Sequence, residues 1–281
     1  MKKSLLAVTL GAALAGLSVS AGAAEVQVYG LIDTSLTYVH SDADRPGIDS
    51  TDSLTMENAK EFGSRFGIKG TEDLGNGYKV GFKLESGFNA DTGTLQENRL
   101  FRREAGLTLS GPFGSIAFGR FGGISSSAGT YDMLGYVESF DGGDGDVWGF
   151  ASSDRYDNMV VYQTPRFAGL QLTAQYSFKT DSKATNKPDA DNNPQFNGDE
   201  GTSDAQRYAS IGLSGEYGPA SFAVGYELTK YGASDTAGVG RELGKDGQLV
   251  FLGGNYDFEV VQLFAEAQYF KHQTALNTNE W

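Results

Sequence analysis

Residues 170–178 read Leu170-Gln171-Leu172-Thr173-Ala174-Gln175-Tyr176-Ser177-Phe178. Leu170, Leu172, Ala174, Tyr176 and Phe178 share one parity, and Gln171, Thr173, Gln175 and Ser177 share the other. Side chains alternate across a strand with period two, so this stretch is a strand with one apolar and one polar face. The same pattern recurs. Tyr78, Val80, Phe82, Leu84 and Phe88 stand against Lys79, Gly81, Lys83 and Glu85, and Phe222, Val224, Tyr226 and Leu228 against Ser221, Ala223, Gly225 and Glu227. Near the start, Val26, Val28, Ile32 and Leu36 alternate with Gln27, Tyr29, Asp33 and Ser35.

The connections fall into two kinds. Short ones carry the Gly, Pro, Asn and Asp of tight turns: Asp73-Leu74-Gly75-Asn76-Gly77, Ser110-Gly111-Pro112-Phe113-Gly114, Pro165-Arg166-Phe167-Ala168-Gly169, Glu216-Tyr217-Gly218-Pro219 and Asp257-Phe258-Glu259. Between them lie long polar loops at 40–60, 89–100, 121–154, 179–206 and 230–247. Short turns at one end and long loops at the other describe a transmembrane antiparallel β-barrel. A secreted soluble sandwich also alternates but rarely sorts its loops this way. Closure matters because hydrocarbon offers no partner to an unpaired backbone group. Tyr38, Tyr78, Tyr176, Tyr226 and Tyr269, near strand ends, suit an aromatic girdle, whereas Tyr29 has lumen parity.

The N-terminus fits export. Met1-Lys2-Lys3 is followed by the apolar Leu5 to Leu17 and the small-residue site Ala21-Gly22-Ala23, the three regions of a signal peptide. We therefore expect a signal peptide at 1–23 and a barrel domain at 24–281. No later run is long and apolar enough for a membrane helix. The chain has no cysteine, so no disulfide staples it. The net charge of −14 becomes −16 once Lys2 and Lys3 leave, and such a chain is no nucleic-acid partner. About eleven strands are counted, the last near Phe270. At about 23 residues per strand with its connection, a barrel of about 16 strands needs about 370 residues. The tail HQTALNTNEW offers no lipid-facing alternation. The expectation is a chain incomplete at its C-terminus.

With these features in place, the chain resembles the general porins of the Gram-negative outer membrane. The resemblance rests on Val28-Tyr29-Gly30-Leu31-Ile32-Asp33, on Ser64-Arg65-Phe66-Gly67-Ile68-Lys69-Gly70-Thr71-Glu72-Asp73-Leu74-Gly75-Asn76-Gly77 and on Leu84-Glu85-Ser86-Gly87-Phe88. It continues through Gly106-Leu107, Gly111-Pro112-Phe113-Gly114, Phe118-Gly119-Arg120, the run from Asn158 to Tyr162, Pro165 and Gly169. It implies a 16-stranded homotrimer among outer-membrane lipid and lipopolysaccharide, with the long third loop folded into the lumen of each barrel. The expected activity is passive diffusion of ions and small hydrophilic solutes, without cofactor or metal. The family's closing aromatic-terminated strand is the feature this chain lacks.

Selectivity in a water-filled pore comes from radius and from charge at the narrowest level. Arg65, Lys69, Lys79, Lys83 and Arg102 have lumen parity, and a charge facing lipid at mid-depth would cost about 2–4 kcal/mol. Arg120 has the parity of Phe118, so either a bulge at Gly119 re-aims it or it lies above the lipid band; the family pattern places this arginine at the constriction. Arg103 is expected at the interface. The basic candidates are Arg65, Lys83, Arg102, Arg120 and Arg155. The third loop carries acids, and the stretches Tyr131-Asp132-Met133-Leu134 and Glu138-Ser139-Phe140-Asp141-Gly142-Gly143 resemble the family's constriction loop. Its acidic candidates are Asp132, Glu138, Asp141 and Asp144, facing the bases across the opening. Wall bases argue for anions, and net charge and loop acids for cations.

Other readings are weaker. The run Asp141-Gly142-Gly143-Asp144-Gly145-Asp146 looks like a calcium loop, but it lacks the spacing and final Glu of an EF-hand. The β-helix calcium repeat needs an Asp where Val147 stands, and it does not recur. A barrel hydrolase needs His beside Asp or Ser, and His40 and His272 sit at loop edges without such a signature. An adhesin or receptor role carried by the long loops is the alternative to the channel.

Overall fold

The computed structural model describes residues 25–41, 50–58, 62–126, 129–133, 154–183, 198–231, 246–272 and 279–280. The expected leader lies outside these residues. Among the described residues, fourteen strands form in chain order. They are β1 (Glu25–Leu31), β2 (Thr34–Ser41), β3 (Thr51–Asn58), β4 (Arg65–Gly75), β5 (Tyr78–Gly87), β6 (Glu104–Gly111) and β7 (Gly114–Gly122). Then come β8 (Arg155–Gln163), β9 (Leu170–Ser177), β10 (Arg207–Tyr217), β11 (Ala220–Lys230), β12 (Gly247–Asp257), β13 (Gln262–Lys271) and the two-residue β14 (Asn279–Glu280).

Twelve of them make one sheet in the order β1-β4-β5-β6-β7-β8-β9-β10-β11-β12-β13-β14, and β2 and β3 form a separate hairpin. Every pairing is antiparallel between sheet neighbours. Leaving the two-residue β14 aside, eleven strands of this sheet end at Lys271, as the sequence pattern predicts. β4, β10, β11 and β12 are 11 residues long, enough for a tilted strand to cross hydrocarbon.

Two expected boundaries move. The first strand is predicted to run unbroken past Leu36, but it breaks at Ile32-Asp33. The Ser64 hydroxyl accepts from the Asp33 amide at 3.0 Å and donates to the Asp33 carbonyl at 3.0 Å, and the Asp33 carboxylate accepts the Phe62 amide at 2.7 Å. These bonds satisfy backbone groups that would otherwise continue the ladder. Part of the expected loop 40–60 is strand β3, paired with β2 from Thr34↔Asn58 to Ser41↔Thr51.

The two faces separate as the alternation requires. Thr173, Gln175 and Ser177 are buried on one side of β9, as are Ala223, Gly225 and Glu227 on β11. On the other side Ile211, Tyr226, Val250, Leu252 and Leu263 are exposed apolar groups, as are Val26 and Val28 of β1; Ile32 and Leu36, outside that sheet, are exposed as well. In water this would be a liability; facing hydrocarbon it is the expected state. At the short turns stand Tyr78, Phe113, Phe167, Tyr217, Tyr256 and Phe258, all exposed. They form the girdle on that rim, of which the sequence pattern picks out only Tyr78.

Candidate functional site

The site begins at a distortion of β7. Gly119 has φ +138°, and Asn158 on β8 has φ +53°. The β7–β8 register shifts between Gly119 and Phe121. Glycine accepts such a φ freely, and Asn is among the few other residues that tolerate it. Beyond the bulge Phe121 turns onto one face. A Cβ at Gly106 would lie 2.0 Å from the Phe121 ring, so the ring occupies the space that Gly106 leaves. Phe121 packs with Ala117, Tyr131, Met159, Val161 and Tyr208, and its ring meets that of Tyr131 edge-on at 5.3 Å.

From Gly122 the chain leaves the sheet and crosses that same face. The Ile124 amide donates to the Tyr208 hydroxyl at 3.3 Å and the Ser125 amide to the Glu227 carboxylate at 3.0 Å. Ile124 and Met133 pack with Ala223 and Phe251. Gly212 and Gly225 leave the room: added Cβ atoms would lie 2.5 Å from Met133 Sδ and 2.8 Å from Ile124 Cδ1. Farther along, the Thr130 amide and hydroxyl donate to Glu104 at 2.6 and 2.5 Å. Residues 123–126 and 129–133 thus touch β6 on one side and β10, β11 and β12 on the other. They lie on the polar, inward face, as expected for the third loop. Burial raises the Tyr131 phenol, a hydrogen bond with Thr108 opposes this, and the Glu104 charge adds to the rise.

The inward charges are arranged in rows. Lys69 and Lys83 face each other across β4 and β5, and Glu85 and Glu104 face each other across β5 and β6. Like charges directly opposite are destabilising, and each row is relieved by the other. Lys83 Nζ lies 2.7 Å from Glu104 and 3.6 Å from Glu85, and donates to Thr130 Oγ1 at 3.2 Å. Arg103 Nε donates to Glu85 at 2.6 Å and the Tyr29 hydroxyl to the same carboxylate at 2.7 Å. Lys69 stands over the Tyr29 ring, 5.2 Å from its centre. The far wall differs. On β9 to β13 no Lys or Arg has inward parity, whereas Glu216, Glu227 and Glu266 do.

Of the basic candidates, Arg65 and Lys83 lie on β4 and β5 with inward parity, Arg65 half-buried and close enough to Glu85, Glu104 and Arg103 to feel their charge. Arg155 opens β8 within reach of the charges of Arg102, Arg103 and Glu104. Arg102 departs from its predicted place. It precedes β6, and its guanidinium bonds Glu97 at 2.8 Å. Arg103, expected at the interface, is the one that turns inward and is buried. Arg120 takes the face opposite Phe121. It donates to Asp157 at 2.5 Å and to the Arg102 carbonyl at 2.6 Å, and Asp157 also accepts from Arg99 and from the Ser182 amide. Salt bridging within the wall therefore accounts for Arg120. Asp132 lies on the inward segment; Glu138, Asp141 and Asp144, with the rest of the acidic run, fall outside the described residues.

Glu85, Glu104 and Asp157 are not among the site residues that the sequence singles out. The inward parity of Glu85, beside Lys83, was the available signal. His40 does have an acidic neighbour, Asp52 at 2.8 Å, which also accepts from Tyr38. The pair sits exposed on the β2–β3 hairpin.

The Gram-negative porin family model matches residues 7–281. The chain belongs to the Gram-negative porin family. Relatives include an outer membrane porin protein of Bordetella pertussis, 37% identical over 94% of this chain and 68% of the relative. Outer membrane porin protein 32 of Delftia acidovorans is 32% identical over the same shares. Among solved structures, the anion-selective porin from Comamonas acidovorans superposes with a TM-score of 0.59 at 24% identity, covering 91% of this chain and 70% of that one. This porin is accordingly an outer-membrane protein that forms a channel for passive diffusion of ions and small solutes.

Proposed function

We propose that this porin is a general-diffusion channel with a preference for anions, working as a homotrimer among lipid and lipopolysaccharide after loss of a leader at 1–23. The observation that carries the reading is the docking of residues 123–126 and 129–133 on the inward face, between a basic wall and an acidic one. Arg65, Lys83, Arg103 and Arg155 form the basic side. Glu227 and Glu266 stand on the far wall, and Asp132, Glu138, Asp141 and Asp144 of the loop supply the acidic edge. Charges of opposite sign across a narrow wet opening make a transverse field, which orients dipolar solutes and disfavours apolar ones. Anions gain because the bases outnumber the acids on β4 and β5.

The test is single-channel recording in planar bilayers, followed by the reversal potential in a salt gradient. Stepwise, ohmic openings with a reversal potential of anionic sign are expected. Absence of discrete water-filled openings would overturn the channel reading, and a cationic sign would overturn the preference.

A further inference from the structure

Toward the short turns, the inward face of β1, β4, β5 and β6, with Phe121 of β7 and Thr130 of the docked loop, borders an open cavity of about 420 Å³. Three lysines line it, Lys69, Lys79 and Lys83. Around them are the hydroxyls of Thr71, Thr108 and Ser110 and the amide of Gln27, with Glu25 as the acid of the lining. We propose that this cavity is a binding subsite for small dianionic oxyanions on the turn side of the docked loop, sharing Lys83 and Thr130 with the level at which that loop narrows the pore. The inference rests on the channel reading above.

The argument is one of unmatched charge. Lys69 and Lys83 are directly opposed on neighbouring strands, with Cβ atoms about 4.5–5.5 Å apart by the geometry of such pairs. Glu104 holds Lys83 at 2.7 Å, and Lys69 has the face of the Tyr29 ring. Lys79 has no ion pair among the described residues. Asp73 lies opposite it in register, but that carboxylate accepts the Gly75 amide of its own turn at 2.8 Å. An oxyanion with two charges can satisfy two ammonium groups at once, which one chloride cannot. The hydroxyls and the Gln27 amide supply donors for its remaining oxygens, so recognition requires no further charge.

Sulfate, a dianion at every working pH, is the probe, with acetate as the monovalent control. Channels reconstituted from the outer membrane are recorded in chloride while sulfate or acetate is added. Sulfate is expected to reduce the chloride current with a saturable half-blocking concentration, and acetate to leave no saturable block. Lys79→Cys should raise that concentration at least tenfold. The chain has no native cysteine, so aminoethyl methanethiosulfonate will modify this position alone, restore the positive charge and return most of the block. Lys69→Gln gives the same reading without the reagent if Lys79→Cys does not insert. A channel that conducts chloride but shows no saturable sulfate block overturns the subsite alone. So does an unchanged half-blocking concentration in both variants. A protein that forms no openings overturns the channel reading, and the subsite with it.

Discussion

Glu104 holds Thr130 twice, through its main-chain amide at 2.6 Å and its hydroxyl at 2.5 Å. The same carboxylate carries Lys83 at 2.7 Å, so one buried acid ties the crossing segment to the wall and neutralises a wall base. Hydrogen bonds to charged groups contribute about 1.5–3 kcal/mol each. Glu104→Gln keeps the shape and removes the charge. It should loosen the segment and raise open-channel current noise, while Thr130→Val should reproduce the noise with Lys83 still paired. Traces as quiet as the parent's in both variants would show that the grip does not hold the loop.

Arg120 and Arg65 should behave oppositely. Arg120 is bound to Asp157 on the face away from Phe121, so Arg120→Gln should leave the reversal potential unchanged. It should instead destabilise the protein by about 1.5–3 kcal/mol, through loss of a charged hydrogen bond, visible as earlier thermal unfolding in detergent. Arg65→Gln combined with Lys83→Gln should move selectivity toward cations. A selectivity shift in the Arg120 variant would return that residue to the pore.

Gly106 is a packing position. Its missing Cβ is the space filled by the Phe121 ring. Gly106→Ala should displace the ring and cost about 1–3 kcal/mol, as overpacking does elsewhere. The loss should be smaller in a Phe121→Leu background, where the site is already relaxed. Equal losses in both backgrounds would place the effect in the strand and not in the contact.

Adjacent residues of β13 offer a test of which face meets lipid. Ala267 pairs with Leu252 on the exposed apolar side, and Glu266 pairs with Gly253. A lysine facing lipid at mid-depth costs about 2–4 kcal/mol. Folding yield into lipid vesicles should therefore fall sharply for Ala267→Lys and little for Glu266→Lys. The reverse order would mean the faces are exchanged.

The wall was legible in the sequence because period-two alternation is set by the pleat alone. Tyr29 shows how far it reaches: its parity pointed inward, and its hydroxyl meets Glu85. Parity fails where the frame slips. Nothing in the run from Leu100 to Glu104 marks the start of β6, so parity gave no hint that Arg102 precedes the strand or that Arg103 turns to Glu85. Asn158 at positive φ supplies the extra residue that turns Asp157 toward Arg120, and a single Asn is a weak signal of a bulge. The break at Asp33 depends on Ser64, 31 positions away, a tertiary bond that no local pattern contains.

The loop's two far anchors couple distant parts of the chain. Ile124 reaches Tyr208 across 84 positions, and Ser125 reaches Glu227 across 102. Closing loops of that length costs entropy that contacts between neighbouring strands do not. Pairing of β8 to β11 shortens the effective loop and lowers that cost. The grip of the loop on the far wall is thus coupled to the completeness of the sheet that it crosses.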